Sequence, residues 1–180
     1  MTYPYRVPYR YRRYGRSDSK GPLVAVAVLA VMLAASGAKA AGHGHAAARV
    51  AAGSVAAEAI AYARAQVGKP YCWGGTGPSC YDCSGFVMEA YASAGVSIPR
   101  TSQAQWAGLP HVASPRPGDL VLAPGADGTW ASPGHVGIVI GGGRVIQAYA
   151  TGYPVEVSSL GEFAAGAGGI IGYARPRGGA

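Results

Sequence analysis

The sequence predicts an α+β domain, with helices first and an antiparallel sheet after them. Three observations predict it. Apolar residues recur at helical spacing through the first part of the body. From Pro115 onward the pattern changes to short β-branched runs between glycine and proline breaks. The two patterns do not alternate, and helices followed by consecutive strands belong to α+β architectures rather than to a parallel sheet.

The first helix is expected to open at Ser54 in SVAAEAIAYARAQVG, where Val55, Ala59, Ile60, Ala63 and Val67 share one side. Glu58 near its start and Gly68 after its end suit the helix dipole and a C-terminal stop, and Lys69-Pro70 closes it. A glycine-rich loop, PYCWGGTGPSCYDCSG, follows. A second helix is expected over Ser84–Ala94, with Phe86, Val87, Ala90 and Tyr91 together and Gly95 at its end. A short helix is expected over Thr101–Ala107. Five strands are expected: Asp119–Ala123, His135–Ile140, Arg144–Ala150, Val155–Ser158 and Gly169–Ala174. Gly141-Gly142-Gly143 joins the second to the third as a hairpin.

The chain has 180 residues and a formal charge of +7, which invites a nucleic-acid reading. The position of the charge argues against it. Arg6, Arg10, Arg12, Arg13, Arg16, Lys20 and Lys39 against Asp18 leave +6 on residues 1–40 and +1 on the rest. A nucleic-acid domain needs its basic residues on a folded surface. Here residues 1–20 form a basic Tyr/Arg-rich tail, followed by an unbroken apolar run from Leu23 to Ala35. Basic tail, apolar core and the small residues Ala38 and Ala40 are the order of an export signal. Residues 21–40 are read as a signal peptide or, if uncleaved, a membrane anchor through residues 21–38. Either reading puts the rest outside the cytoplasm. Residues 41–53 are read as an Ala/Gly/His linker and residues 54–180 as the working domain.

Three features of that domain carry chemistry. Asp82-Cys83-Ser84-Gly85 lies where the glycine loop meets the second helix. A cysteine there feels unpaired N–H groups and the positive helix end, both of which favour thiolate. His135 opens a strand, a rigid mount for a base. Pairing across the glycine hairpin, antiparallel about Gly142, brings Gln147 beside His135, where an amide oxygen can fix the imidazole tautomer. Taken singly, each has an ordinary structural explanation: a buried small thiol, a strand-end histidine, a polar residue on an exposed face. Their joint occurrence in this order is much more specific.

The segments GKPYCWGGTGPSCYDCSGFV, PRTSQAQ, PRPGDLV and GHVGIVIGGGRVIQA resemble those of the NlpC-type cell-wall endopeptidases, bacterial papain-like cysteine peptidases. The resemblance spans residues 54–175. It implies a papain-like α+β fold, with N-terminal helices packed on a mostly antiparallel sheet of five to six strands. It implies hydrolysis of the D-glutamyl–diamino acid bond of peptidoglycan stem peptides through an acyl-enzyme. By motif, Cys83 is the nucleophile, His135 the base and Gln147 the orienting third residue, a position more usually histidine. Tyr71 and the Cys83 N–H are the implied oxyanion donors, and Asp82 and Ser84 lie next to the substrate's amino end. Trp73 is a candidate groove residue and Arg100 a candidate partner for a stem-peptide carboxylate. No metal or other cofactor is required, and the expected partners are stem peptides, with a monomeric enzyme and no nucleic acid.

Cys72, Cys80 and Cys83 fall close together, and an oxidising compartment invites pairing. A Cys72–Cys80 disulfide would pin the loop and leave Cys83 free. A Cys80–Cys83 disulfide would block the nucleophile until reduced. Two other function classes stand beside the hydrolase: a catalytically idle stem-peptide-binding module, and an acyl transferase on the same fold.

Overall fold

The computed structural model describes residues 44–177, with side chains from residue 55. The tail, the apolar segment and the first residues of the linker lie outside the described residues. Among the described residues no helix is long and apolar enough to cross a membrane.

The helix α1 spans Gly44–Ala65, so it begins ahead of the Ser54 start expected and takes in residues 44–53 of the expected linker. Alanine is the strongest helix former, and this stretch is rich in it. Ala59 and Ala63 are fully buried on one side of α1, where small side chains let the helix lie close against α2, Cys83–Ser93. Tyr62 and Tyr81 bond hydroxyl to hydroxyl at 2.9 Å, and Tyr81 also donates to Gln66 Oε1 at 3.0 Å. A third helix, α3, runs Ser102–Gly108, with Thr101 Oγ1 accepting from Ala104 N as its cap.

The sheet has six strands: β1 His111–Val112, β2 Leu120–Ala123, β3 His135–Gly141, β4 Arg144–Ala148, β5 Val155–Ser159 and β6 Gly172–Ala174. Their order is β1-β6-β2-β3-β4-β5, every pair antiparallel. The β3–β4 register, Ile138 opposite Ile146 and Val139 opposite Val145, is the one centred on Gly142. A shift between Val139 and Gly141 marks a bulge at the turn. A fourth helix, α4, Leu160–Ala167, was not expected. It starts at a capping box, Ser159 accepting from Glu162 N while Glu162 accepts from Ser159 N.

Strand alternation divides the core in two. Leu120, Leu122, Val136, Ile138, Ile146 and Ala148 pack with α1 and α2 in the larger cluster. Val121, Ala123, Val139 and Val145 pack with Phe163 and Ala167 of α4 on the other face. Gly137 makes the second face possible beside His135, because a Cβ there would sit 2.5 Å from Val145 Cγ2 and 3.4 Å from Phe163 Cε2. The end of β6 is tied to the start of β2 by Arg175, which donates from Nε and Nη2 to the two oxygens of Asp119 at 2.6 and 2.7 Å. Asp119 also accepts from Arg116 N, closing the PRPGD turn.

Candidate active site

Cys72 and Cys80 form a disulfide and Cys83 is free. The disulfide closes the glycine loop on itself. Cys72 N donates to Tyr81 O at 2.9 Å and Gly77 N to Cys80 O at 2.8 Å. The loop then packs on the first turn of α2. Asp82 N donates to Gly75 O, and a Cβ on Gly85 would lie 2.2 Å from that same oxygen, so the position admits only glycine without a shift.

Asp82 is the N-cap of α2, its Oδ1 accepting from Gly85 N at 2.6 Å. Arg100 holds both oxygens of the same carboxylate from its two Nη atoms and donates from Nη1 to Ser84 Oγ at 3.0 Å. Asp82, Ser84 and Arg100 therefore form one bonded cluster beside the cysteine. The guanidinium of Arg100, the expected receptor for a substrate carboxylate, is held on Asp82, and the side chain is still 36% exposed.

The Cys83 sulfur lies against the backbone that flanks His135. It donates to Gly134 O at 3.8 Å, and the backbone N–H of Val136 is near enough to favour its thiolate. Its own N–H and that of Ser84 also point at it, as the helix-end position predicts. The expected low pKa does not follow. Burial, followed by the Asp82 charge, outweighs those N–H groups and pushes the thiol up to about 11. At rest it is a thiol, and it needs a base.

His135 is 4% exposed and Gln147 3%. Their side chains share the α4 face of the sheet. Gln147 Oε1 lies 2.8 Å from His135 Nε2, and Gln147 Nε2 donates to Ser158 Oγ at 2.9 Å. An oxygen acceptor there selects the Nε2–H tautomer and leaves Nδ1 as the basic nitrogen. Phe163 stacks on the imidazole at 5.1 Å and Tyr149 meets it edge-on at 5.5 Å. Burial among these rings lowers the His135 pKa to about 4, and the Gln147 hydrogen bond opposes the fall. Phe163, Tyr149 and Ser158 were not among the residues singled out from sequence. Ser158 lies opposite Val145 across the β4–β5 pair, a placement with no short-range mark in the chain.

Tyr71 stands close enough to Cys83, Asp82 and Asp127 for their charges to act on its phenol. With burial as the largest cause, they raise its pKa to about 12. The hydroxyl thus keeps its proton, and can donate it in a hydrogen bond, throughout the physiological range. Trp73, next to the disulfide, is 78% exposed. Among the described residues no group of three or more His, Cys, Asp or Glu could hold a metal.

The Asp82 charge makes a direct test possible. Asp82→Asn keeps a good N-cap and removes the charge that raises the thiol. Iodoacetamide is expected to alkylate Cys83 of this variant at pH 7–8 roughly threefold faster per unit of pKa lost, since lower nucleophilicity offsets part of the gain in thiolate. An unchanged or slower rate would remove Asp82 as a cause of the high thiol pKa.

Residues 68–165 match the NlpC/P60 family, more than half of the chain. The probable endopeptidase p60 of Listeria innocua is 39% identical over 116 residues, which cover 62% of this chain and 24% of that protein. A probable endopeptidase of Corynebacterium glutamicum is 45% identical over 100 residues, covering 54% of this chain and 45% of that protein. The chain therefore spans about a quarter to a half of the length of these relatives. Among solved structures, the peptidoglycan hydrolase RipB of Mycobacterium tuberculosis is similar with a TM-score of 0.60 and 28% identity, over 76% of this chain and 72% of that one. An NlpC/P60 family protein of Bacillus cereus aligns with a TM-score of 0.61 and 31% identity, over 67% and 40%. The match falls on the disulfide loop, the cysteine-led helix and the hairpin that joins His135 to Gln147, and on these grounds the chain belongs to the NlpC/P60 family.

Proposed function

We propose that this protein is an exported peptidoglycan endopeptidase that cleaves the D-glutamyl–diamino acid bond of stem peptides. One observation carries the reading: a free cysteine heads a helix with its sulfur against the backbone around a buried histidine, and a glutamine fixes that histidine's tautomer. The Cys83 sulfur attacks the amide carbonyl carbon as its proton passes to His135 Nδ1. The oxygen of the tetrahedral intermediate takes hydrogen bonds from the Cys83 N–H and the Tyr71 hydroxyl. The C–N bond then breaks, His135 gives the proton to the leaving amine, and a thioester remains. His135 next takes a proton from water, whose oxygen attacks the thioester carbon, and returns it to the sulfur as the C–S bond breaks.

The exposed indole of Trp73 suits contact with the stem peptide, Asp82 and Ser84 lie next to its amino end, and Arg100 beside them suits a stem-peptide carboxylate. Export rests on residues 21–40, with action in the wall or at the outer face of the cytoplasmic membrane. The test is incubation of the protein with purified muropeptides under conditions that keep Cys83 reduced, with products read by mass. The expected products are a fragment ending in D-glutamate and one beginning with the diamino acid. Binding with no cleavage would leave a stem-peptide-binding module, and a product carrying an exchanged amine would make the protein a transferase.

A further inference from the structure

The short helix α3 takes no part in the chemistry above, yet its side chains reach the backbone on both sides of it. Gln105 is fully buried, and its Nε2 donates to two carbonyls, Ser84 O at 3.1 Å and Pro99 O at 2.8 Å. Ser102, also buried, donates from Oγ to Pro133 O at 2.9 Å. Ser84 follows the nucleophile, Pro99 precedes the arginine that holds Asp82, and Pro133 lies two residues before the base. Three backbone segments, far apart in sequence, are thus fastened to about one turn of helix.

The chemistry of Gln105 points beyond packing. Its Oε1 is buried with no hydrogen-bond partner. An unpaired buried amide oxygen is destabilising. Leucine or methionine would fill the same volume without that cost, so the amide is favoured for what its nitrogen holds. The carbonyl of Ser84 sits in the first turn of α2, so a bond to it fixes the azimuth of the turn that carries Cys83. The bond from Ser102 fixes the strand entry that carries His135, immediately before the Gly134 carbonyl on which the Cys83 sulfur rests.

We propose that α3 is a positioning clamp, in which Gln105 and Ser102 set the separation of the Cys83 sulfur from the His135 imidazole. The proposal rests on the reading of those two residues as the reacting pair. Neither Gln105 nor Ser102 touches the substrate, so both are positioning residues. A displacement of the order of 1 Å in a reacting pair costs about 100-fold in rate.

The test uses the full chain with Gln105→Met, which keeps length and volume but has no donor, and Ser102→Ala. For each, the melting temperature, kcat and KM on muropeptides, and the rate of Cys83 alkylation by iodoacetamide from pH 5 to 9 are measured. At a temperature where the variants are folded, Gln105→Met is expected to lower kcat by about 10- to 100-fold with KM within about twofold. The alkylation profile should shift toward that of His135→Ala. Ser102→Ala should show a smaller effect of the same kind, and it carries the test if Gln105→Met does not fold. A folded variant with wild-type kcat and alkylation profile would overturn the clamp. So would losses that merely follow the folded fraction. Alkylation needs no peptidoglycan, so a wild type that cuts no muropeptide would sink the substrate reading while the clamp stays under test.

Discussion

Cys83→Ala and His135→Ala are each expected to lower kcat on muropeptides by at least about 10⁴-fold while leaving the protein folded. The double variant should be no worse than either single one, because the two residues act as a unit and cannot be removed twice. The pair differs from the arrangement that the helix end alone suggested. With the thiol pushed up to about 11 and the imidazole down to about 4, both groups are neutral at rest across the working range. The thiol is reactive only as its proton is taken. His135 serves as base when unprotonated, so kcat/KM should be flat from about pH 5 upward and fall as the pH drops through about 4. An acid limb near the ordinary histidine value of about 6.5 would overturn the buried, neutral imidazole. Retention of a tenth of the activity by His135→Ala would remove it as the base.

Much of this site was legible because its determinants are local. A cap residue before a cysteine, glycines in the loop and a glycine hairpin with its register are all short-range statements. The Gln147–His135 contact followed from pairing the hairpin, and the β3–β4 register has that centre. What sequence did not give is what distant segments do to each other. The Asp82–Arg100 ion pair joins residues 18 apart in the chain and ties the expected substrate arginine to the cap of α2. Helix α4 was not expected, because its eight residues are too few for a helical period to stand out. Its Phe163 is nevertheless the ring that buries the base. The strand β1 has only two residues, too short for any alternation to be seen. The early start of α1 is a matter of propensity: alanine, glycine and histidine read equally well as a flexible linker until the helix behind them supplies the nucleus. The thiol pKa failed for the same long-range reason, since helix-end N–H groups are local and burial is not.

Gln147 is where the local reading and the buried surroundings meet, and its variants separate two jobs. Gln147→Ala removes the acceptor for His135 Nε2–H and the donor to Ser158, and leaves a space beside a ring that must hold its angle. We expect kcat to fall about 10- to 100-fold with KM nearly unchanged, the size of effect that follows from losing orientation of a general base. Gln147→Glu keeps the acceptor and adds a negative charge at hydrogen-bond distance from the imidazole. An adjacent opposite charge favours the protonated ring, so the His135 pKa must rise from about 4. The acid limb of kcat/KM should then move to higher pH by at least about one unit. At pH 5 this variant should work at a smaller fraction of its own plateau than wild type does. Gln147→Ala should move the limb the other way, because the hydrogen bond to Gln147 is what holds the pKa up against burial. Opposite shifts from two substitutions at one position cannot come from a general loosening of the fold. If both variants keep the wild-type kcat and acid limb, Gln147 is a packing residue, and the orientation of the base must come from Phe163 and Tyr149 alone.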